Sequence, residues 1–228
     1  MDNNRNNHKT FNIGSLVAMF ILTLLPIFSY AQHSDLGNWI IYIGSKKVNS
    51  KWNIHHEVQY RNYNAVGDLE QLLLRTGLGY NLTDNANLLL GYGFIHSENY
   101  QNNSTEKVNV DEHRIFQQFI TKGKVGIVSL QHRYRFEQRF VEDDFKMRFR
   151  YFLGVNVPLK FNENSKFYLS GYNEIFLNDK ADVFDRNRTY FGLGHKFNSA
   201  LKLEVGYMNQ FFNVGDRDQI NLILFGSF

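Results

Sequence analysis

The chain has 228 residues, a length suited to one domain, with 43% hydrophobic residues, a mean hydropathy of −0.39 and a net charge of +3. With no cysteine it can hold no disulfide, thiolate metal site, thiol nucleophile or lipoprotein anchor cysteine. Basic and acidic residues are interleaved, and no basic block points to nucleic acid.

The amino terminus reads as a secretory signal peptide, residues 1–31. Arg5 and Lys9 supply a positive start, and an apolar run from Ile13 to Ile27 follows, broken at Pro26. Ser29-Tyr30-Ala31 places small residues at the −3 and −1 positions, so cleavage is expected before Gln32. The run is short for a membrane-spanning helix, which needs about 20 apolar residues. Residues 32–228 then contain no longer apolar stretch, so the mature chain either is soluble or crosses a membrane as strands.

Strand periodicity decides for strands. From Lys51 to Arg61 one face carries Trp52, Ile54, His56, Val58 and Tyr60, and the other Asn53, His55, Glu57, Gln59 and Arg61. The segment after Val125 alternates likewise. Ser129, Gln131, Arg133, Arg135, Glu137 and Arg139 oppose Val128, Leu130, Tyr134, Phe136 and Phe140. Met147 to Leu159 gives an unbroken apolar face against Lys146, Arg148, Arg150 and Asn156, and Leu201 to Phe211 repeats the pattern. Eleven such segments span 39–47, 51–62, 69–81, 86–97, 109–121, 125–139, 146–159, 167–177, 187–197, 201–212 and 219–228.

Segments of this length exceed the ~5–6 residues of a typical soluble strand and match the ~9–11 that cross a bilayer with tilt. Aromatics make up 16% of the chain and recur near segment ends, at Tyr60, Tyr63, Tyr80, Phe94, Tyr100, Phe140, Phe145, Phe161, Phe167, Phe176, Phe197 and Phe211, as interfacial belts require. The fold expected is an all-β, transmembrane, antiparallel up-and-down β-barrel, apolar face to lipid and polar face to the lumen. Single-chain bacterial barrels have even strand counts. Eleven segments therefore suggest twelve strands, with a short one hidden around 33–38, or ten with one end outside the wall; twelve is the expectation. Tight turns at 48–50, 83–85, 122–124, 162–165 and 198–200 alternate with longer polar connections at 62–68, 98–110, 141–144, 178–185 and 213–218, the short-periplasmic, long-extracellular rule. The last strand ends on Phe228, a terminal aromatic that suits recognition by barrel assembly machinery.

His132-Arg133-Tyr134-Arg135-Phe136-Glu137-Gln138-Arg139 resembles the "H-R-x-R-x-E-Q-R" strand of the bacterial domain of unknown function 2490 family. Trp39, Lys51-Trp52 and the Glu57 to Arg61 strand resemble it too, over most of residues 35–228. The resemblance implies a small outer-membrane barrel of a kind frequent in Bacteroidota, and no established activity.

By alternation the lumen holds Glu57, Arg61, Arg75, Arg133, Arg135, Glu137, Arg139, Arg148, Arg150, Glu174, Arg188 and Glu204. Such a set either lines a path for small anionic solutes or forms a salt-bridge lattice that fills the interior, and the lattice is favoured because small barrels pack their lumen with side chains. Eight arginines against four glutamates imply unpaired guanidinium groups.

No catalytic, metal or cofactor site is expected. His55 and His56 face opposite ways. Asp143-Asp144 and Asp216 with Asp218 supply too few oxygen ligands for calcium. Ser129 and Ser170 lie on lumen faces, away from the lipid edge that a lipid hydrolase needs, and His132 has no serine beside it on its own face. Gly91-Tyr92-Gly93 and Gly192-Leu193-Gly194 sit inside strands without a following helix, so they read as relief of strand bending or lumen crowding. The expected function is a structural, surface or narrow-pore outer-membrane barrel, with outer-membrane lipid and the assembly machinery as partners. A channel for small anionic solutes is the alternative, and a lipid hydrolase or protease a second.

Overall fold

In the computed structural model, residues 36–65, 67–101, 104–160, 164–180 and 182–228 are described. The signal peptide and its cleavage site, the first three residues of the hidden strand, and Phe161 lie outside them. Eleven strands follow in chain order: β1 (Gly37–Lys47), β2 (Trp52–Asn62), β3 (Leu69–Thr83), β4 (Ala86–Tyr100), β5 (Lys107–Val125), β6 (Val128–Val141), β7 (Asp144–Pro158), β8 (Phe167–Asn178), β9 (Phe184–Lys196), β10 (Leu201–Phe212) and β11 (Asp216–Ser227). No helix among the described residues is long and apolar enough to cross a membrane, which bears on helices alone.

Each strand pairs antiparallel with its neighbour in sequence, and β1 closes the barrel against β11 in parallel, from Gly37 opposite Gln219 to Ser45 opposite Ser227. This corrects the even count. Among the described residues all eleven segments are strands of one closed wall, and Gly37-Asn38 begin β1 rather than forming an extra strand. Parity binds a barrel only if every pair is antiparallel; one parallel seam removes it, and odd counts occur in mitochondrial barrels. The wall is up-and-down but mixed.

The loop alternation is also corrected. One rim, here called upper, carries the connections 63–68, 101–106, 142–143, 179–183 and 213–215; the lower rim carries 48–51, 84–85, 126–127, 159–166 and 197–200. The longest connection is therefore on the rim expected to have only tight turns. Much of 98–110 is β4–β5 ladder, Glu98 opposite Asn109 and Tyr100 opposite Lys107. The expected turn at 122–124 is strand as well. The chain reverses at Gly126-Ile127, where Gly126 takes φ 58°, a left-handed geometry that suits a two-residue hairpin turn.

The face assignment from alternation holds. Inward positions bury charge: Glu57, Arg75, Arg135, Arg148 and Glu174 are each 7% exposed or less, and Glu137 is fully buried. Outward positions expose apolar groups, among them Trp52, Ile54, Val58, Leu78, Phe149 and Phe191. Of the residues assigned to aromatic belts, Tyr60, Tyr100, Phe140, Phe145, Phe167, Phe197 and Phe211 are exposed. Phe176 is not: it points inward and is 1% exposed.

Candidate functional site

Period-two alternation along β6 sends Arg133, Arg135, Glu137 and Arg139 into the barrel, and the register sets Glu137 directly beside Arg148 of β7. Glu137 becomes a hub. Its Oε2 accepts from Arg148 Nε (2.9 Å) and Nη2 (2.7 Å), and its Oε1 from Arg150 Nη1 (2.7 Å). Arg114 and Arg135 stand at 3.5 and 3.6 Å from the same Oε1. Four guanidinium groups thus converge on one carboxylate.

Neighbouring carboxylates extend the lattice. Glu174 accepts from Arg150 and Arg133 (2.7 Å each), and Glu112 from Arg139 Nε (2.7 Å) and Arg114 Nε (2.8 Å). Asp185 joins Arg148 (2.9 Å) to Arg186 (3.2 Å), and Arg75 reaches Glu57 at 2.7 Å. Guanidinium faces lie on inward rings: Arg135 over Phe116 (4.6 Å), Arg133 over Phe152 (4.4 Å) and Arg150 over Phe176 (4.3 Å). Buried charges persist because they are paired and hydrogen-bonded.

Across the barrel the filling changes character. Trp39, Ile41, Tyr190, Met208 and Ile223 pack as a buried cluster, with Ile43, Tyr172 and Phe225 against it. Wall glycines make room for the rings. A Cβ on Gly91 would sit 2.2 Å from the Phe116 ring, one on Gly192 2.2 Å from the Tyr190 hydroxyl, and one on Gly194 2.1 Å from the Tyr168 ring. This accounts for the two glycine pairs without any nucleotide: they relieve crowding in a filled interior.

All twelve expected interior residues face inward. Ten are buried, and Arg133 and Arg139 are partly so. Nine of the twelve share carboxylate–guanidinium bridges: Glu57, Arg75, Arg133, Arg135, Glu137, Arg139, Arg148, Arg150 and Glu174. Arg61, Arg188 and Glu204 stand outside them. Glu204 accepts instead from the Tyr168 hydroxyl at 2.8 Å. The expectation of unpaired guanidinium groups narrows to two: among the described residues six of the eight arginines are bridged, and Arg61 and Arg188 are not. The balance had missed Glu112, Asp185 and Glu70, the last bound to Arg217 at 2.7 Å. The inward run Glu112-Arg114-Phe116-Gln118 was the available signal.

The other candidates fall apart geometrically. His55 turns inward to Glu57 (3.2 Å) while His56 bonds the Tyr42 hydroxyl (3.2 Å). Asp144 pairs with Lys146 at 3.3 Å, and Asp216 and Asp218 accept from Asn209 at 2.6 and 2.9 Å. Ser170 is buried between Asn156 and Gly192 on the ladder, and Ser129 also faces Asn156. His132 faces outward and bonds the Tyr151 hydroxyl at 2.9 Å. Phe228 is 63% exposed, and its backbone completes the seam: its N–H donates to Ser45 O (2.9 Å) and its carbonyl accepts from Lys47 N–H (2.6 Å).

The arrangement is suited to filling a barrel with locked charge, and the motif that carries it is the H-R-Y-R-F-E-Q-R strand. No solved structure matches the chain. It is 31% identical over 172 residues to an uncharacterized protein of Methylorubrum extorquens, covering 68% of this chain and 69% of that one. The model of the family "Protein of unknown function (DUF2490)" matches residues 36–221, and the chain belongs to that family.

Proposed function

We propose that this protein is an outer-membrane β-barrel, delivered by a cleaved signal peptide, whose interior is closed by its own side chains and which serves as a structural or surface-interaction barrel. One observation carries the reading: apolar side chains cover the outside of the wall while the interior buries a lattice of charge beside an apolar cluster. Charge is buried inside, while Leu90, Phe149 and Phe191 are 59%, 52% and 62% exposed outside. A water-soluble barrel would present the opposite pattern, whereas lipid is the solvent in which an apolar exterior is stable.

Fractionation tests the location: the chain should be recovered from the outer membrane with heat-modifiable mobility on gels, and recovery from the soluble periplasm refutes the reading. Purified protein in planar bilayers should give at most a small conductance. Large, cation-selective steps would refute the closed lumen. A narrow anion-preferring pore is the second reading, favoured by the two arginines that lack a carboxylate.

A further inference from the structure

Arg61 and Arg188 differ from every arginine of the lattice. Each is 7% exposed, and neither has a carboxylate at bridging distance among the described residues. Their partners are glutamine carbonyls. Arg61 gives Nε (3.0 Å) and Nη2 (2.5 Å) to Gln59, and Nη1 (2.6 Å) to Gln71. Arg188 gives Nε to Gln210 at 2.8 Å. The carboxylates acting on them from further away, Glu70 and Glu174, are held by Arg217 and by Arg133 and Arg150.

Both guanidinium groups lie against one indole. Arg61 Cζ is 3.7 Å and Arg188 Cζ 4.8 Å from the Trp39 ring. The register explains this meeting near the upper rim: Trp39 stands opposite Arg61 on β2 and beside Asn221 on β11. The surroundings hold unmet donors beside a few unmet acceptors, Asn62 Oδ1, Asn221 Oδ1 and the second oxygen of Glu70. Trp39 Nε1 and Gln219 Nε2 are buried and have no acceptor among the described residues. The Gln219 carbonyl is taken by Gln210 Nε2 (3.0 Å), whose own carbonyl is taken by Arg188. Of five N–H donors per guanidinium, Arg61 uses three on these glutamines and Arg188 one.

A buried cation without an anion is unfavourable, and so is a buried donor without an acceptor. Here two of each face the same part of the interior. We propose that Trp39, Arg61, Arg188 and Gln219 bind a small oxyanion, a carboxylate or phosphate group that supplies the missing charge and acceptors. The planar guanidinium fork matches both groups. The inference rests on the closed interior proposed above and not on the membrane in which the barrel sits.

Trp39 is its own reporter. The chain has two tryptophans, so Trp52→Phe leaves Trp39 alone. Inorganic phosphate and acetate are titrated separately into the folded full chain in detergent, with chloride as the reference and ionic strength held constant. A saturable change in Trp39 emission is expected with phosphate or acetate, and the lower half-saturation names the group. Arg188→Gln should raise that half-saturation about tenfold or more, the value of a lost charge-assisted hydrogen bond. Arg188→Lys, which keeps charge and volume, should raise it less, and Lys124→Gln at the lower rim should not change it. Heat-modifiable mobility confirms that each variant is folded. An unsaturable response in all three salts, equal saturation by chloride, or an unchanged response in folded Arg188→Gln overturns the site. Recovery of the chain from the soluble periplasm would refute the membrane reading and leave this titration standing.

Discussion

Glu137→Gln removes one charge and no volume from the centre of the lattice, and its consequence can be worked through partner by partner. Arg148 keeps Asp185 at 2.9 Å, Arg150 keeps Glu174 at 2.7 Å, and Arg114 keeps Glu112 at 2.6 Å. Arg135 keeps the Gln118 carbonyl, at 2.5 and 2.9 Å, and the Phe116 ring, but no carboxylate among the described residues. One buried guanidinium is thus left without a carboxylate, and stranding a buried charge costs about 3–5 kcal/mol. Removing that charge as well should recover part of the loss. Arg135→Gln with Glu137→Gln is expected to be less destabilised than Glu137→Gln alone, by about 1–3 kcal/mol, the range of coupling between groups in contact. Glu204→Gln is the control. Glu204 faces the Tyr168 hydroxyl and has no bridging cation among the described residues, and a glutamine carbonyl can take that hydrogen bond, so the cost should stay under about 1.5 kcal/mol. Urea unfolding in lipid vesicles, followed by heat-modifiable mobility, compares the four proteins. A Glu137→Gln variant within about 1 kcal/mol of the parent would refute the hub, since even the low end of the stranding cost exceeds that. So would a double variant less stable than Glu137→Gln.

Three further outcomes follow from the wall. Leu153→Arg should destabilise the barrel in vesicles by about 2–4 kcal/mol, the cost of an arginine on the lipid face near the midplane. Asn156→Arg, inward between Ser129 and Ser170, should cost less, and a reversed order would mean the faces are exchanged. Gly91→Ala should cost about 1–3 kcal/mol by overpacking Phe116, Phe116→Leu should relieve it, and Gly123→Ala, with nothing within 4 Å of the new Cβ, should be silent in the same unfolding assay. Deleting Phe228 removes both backbone bonds to Ser45 and Lys47, so the heat-modifiable fraction should fall far more than in Ser227→Ala. Phe228→Lys keeps those bonds; equal assembly of this variant and the parent would show that the aromatic ring is not read.

The sequence made the wall legible because each strand's two faces meet different media, and period two survives any error in strand ends. Glu57 and Arg61 against Val58 and Tyr60 is enough to orient β2. Closure was not legible in the same way. Whether β1 meets β11 in parallel depends on residues some 180 positions apart, and no local pattern encodes that pairing. In β5, Glu112 and Arg114 were missed because the opposite face carries His113 and Gln117, which blurs the alternation. Aromatics misled at Phe176, since a ring fits an interfacial belt and a filled interior equally well. Trp39 and Arg61 stood out for their resemblance to a family pattern, but their stacking with Arg188 required the register of β1, β2 and β9.

The parallel seam fixes where the ends of the wall are. In an even barrel the first and last strands run in opposite directions, and both ends emerge on one side. Here Gly37 opens β1 at the upper rim and Ser227 closes β11 at the lower, a full strand length apart along the same seam. A short linker therefore cannot join the two ends to make a circular permutant, because it would have to span the height of the wall. In a membrane, an epitope fused directly before Gly37 and one fused after Phe228 would face opposite compartments, so antibody access to intact and permeabilised cells would read the chain's orientation from a single molecule.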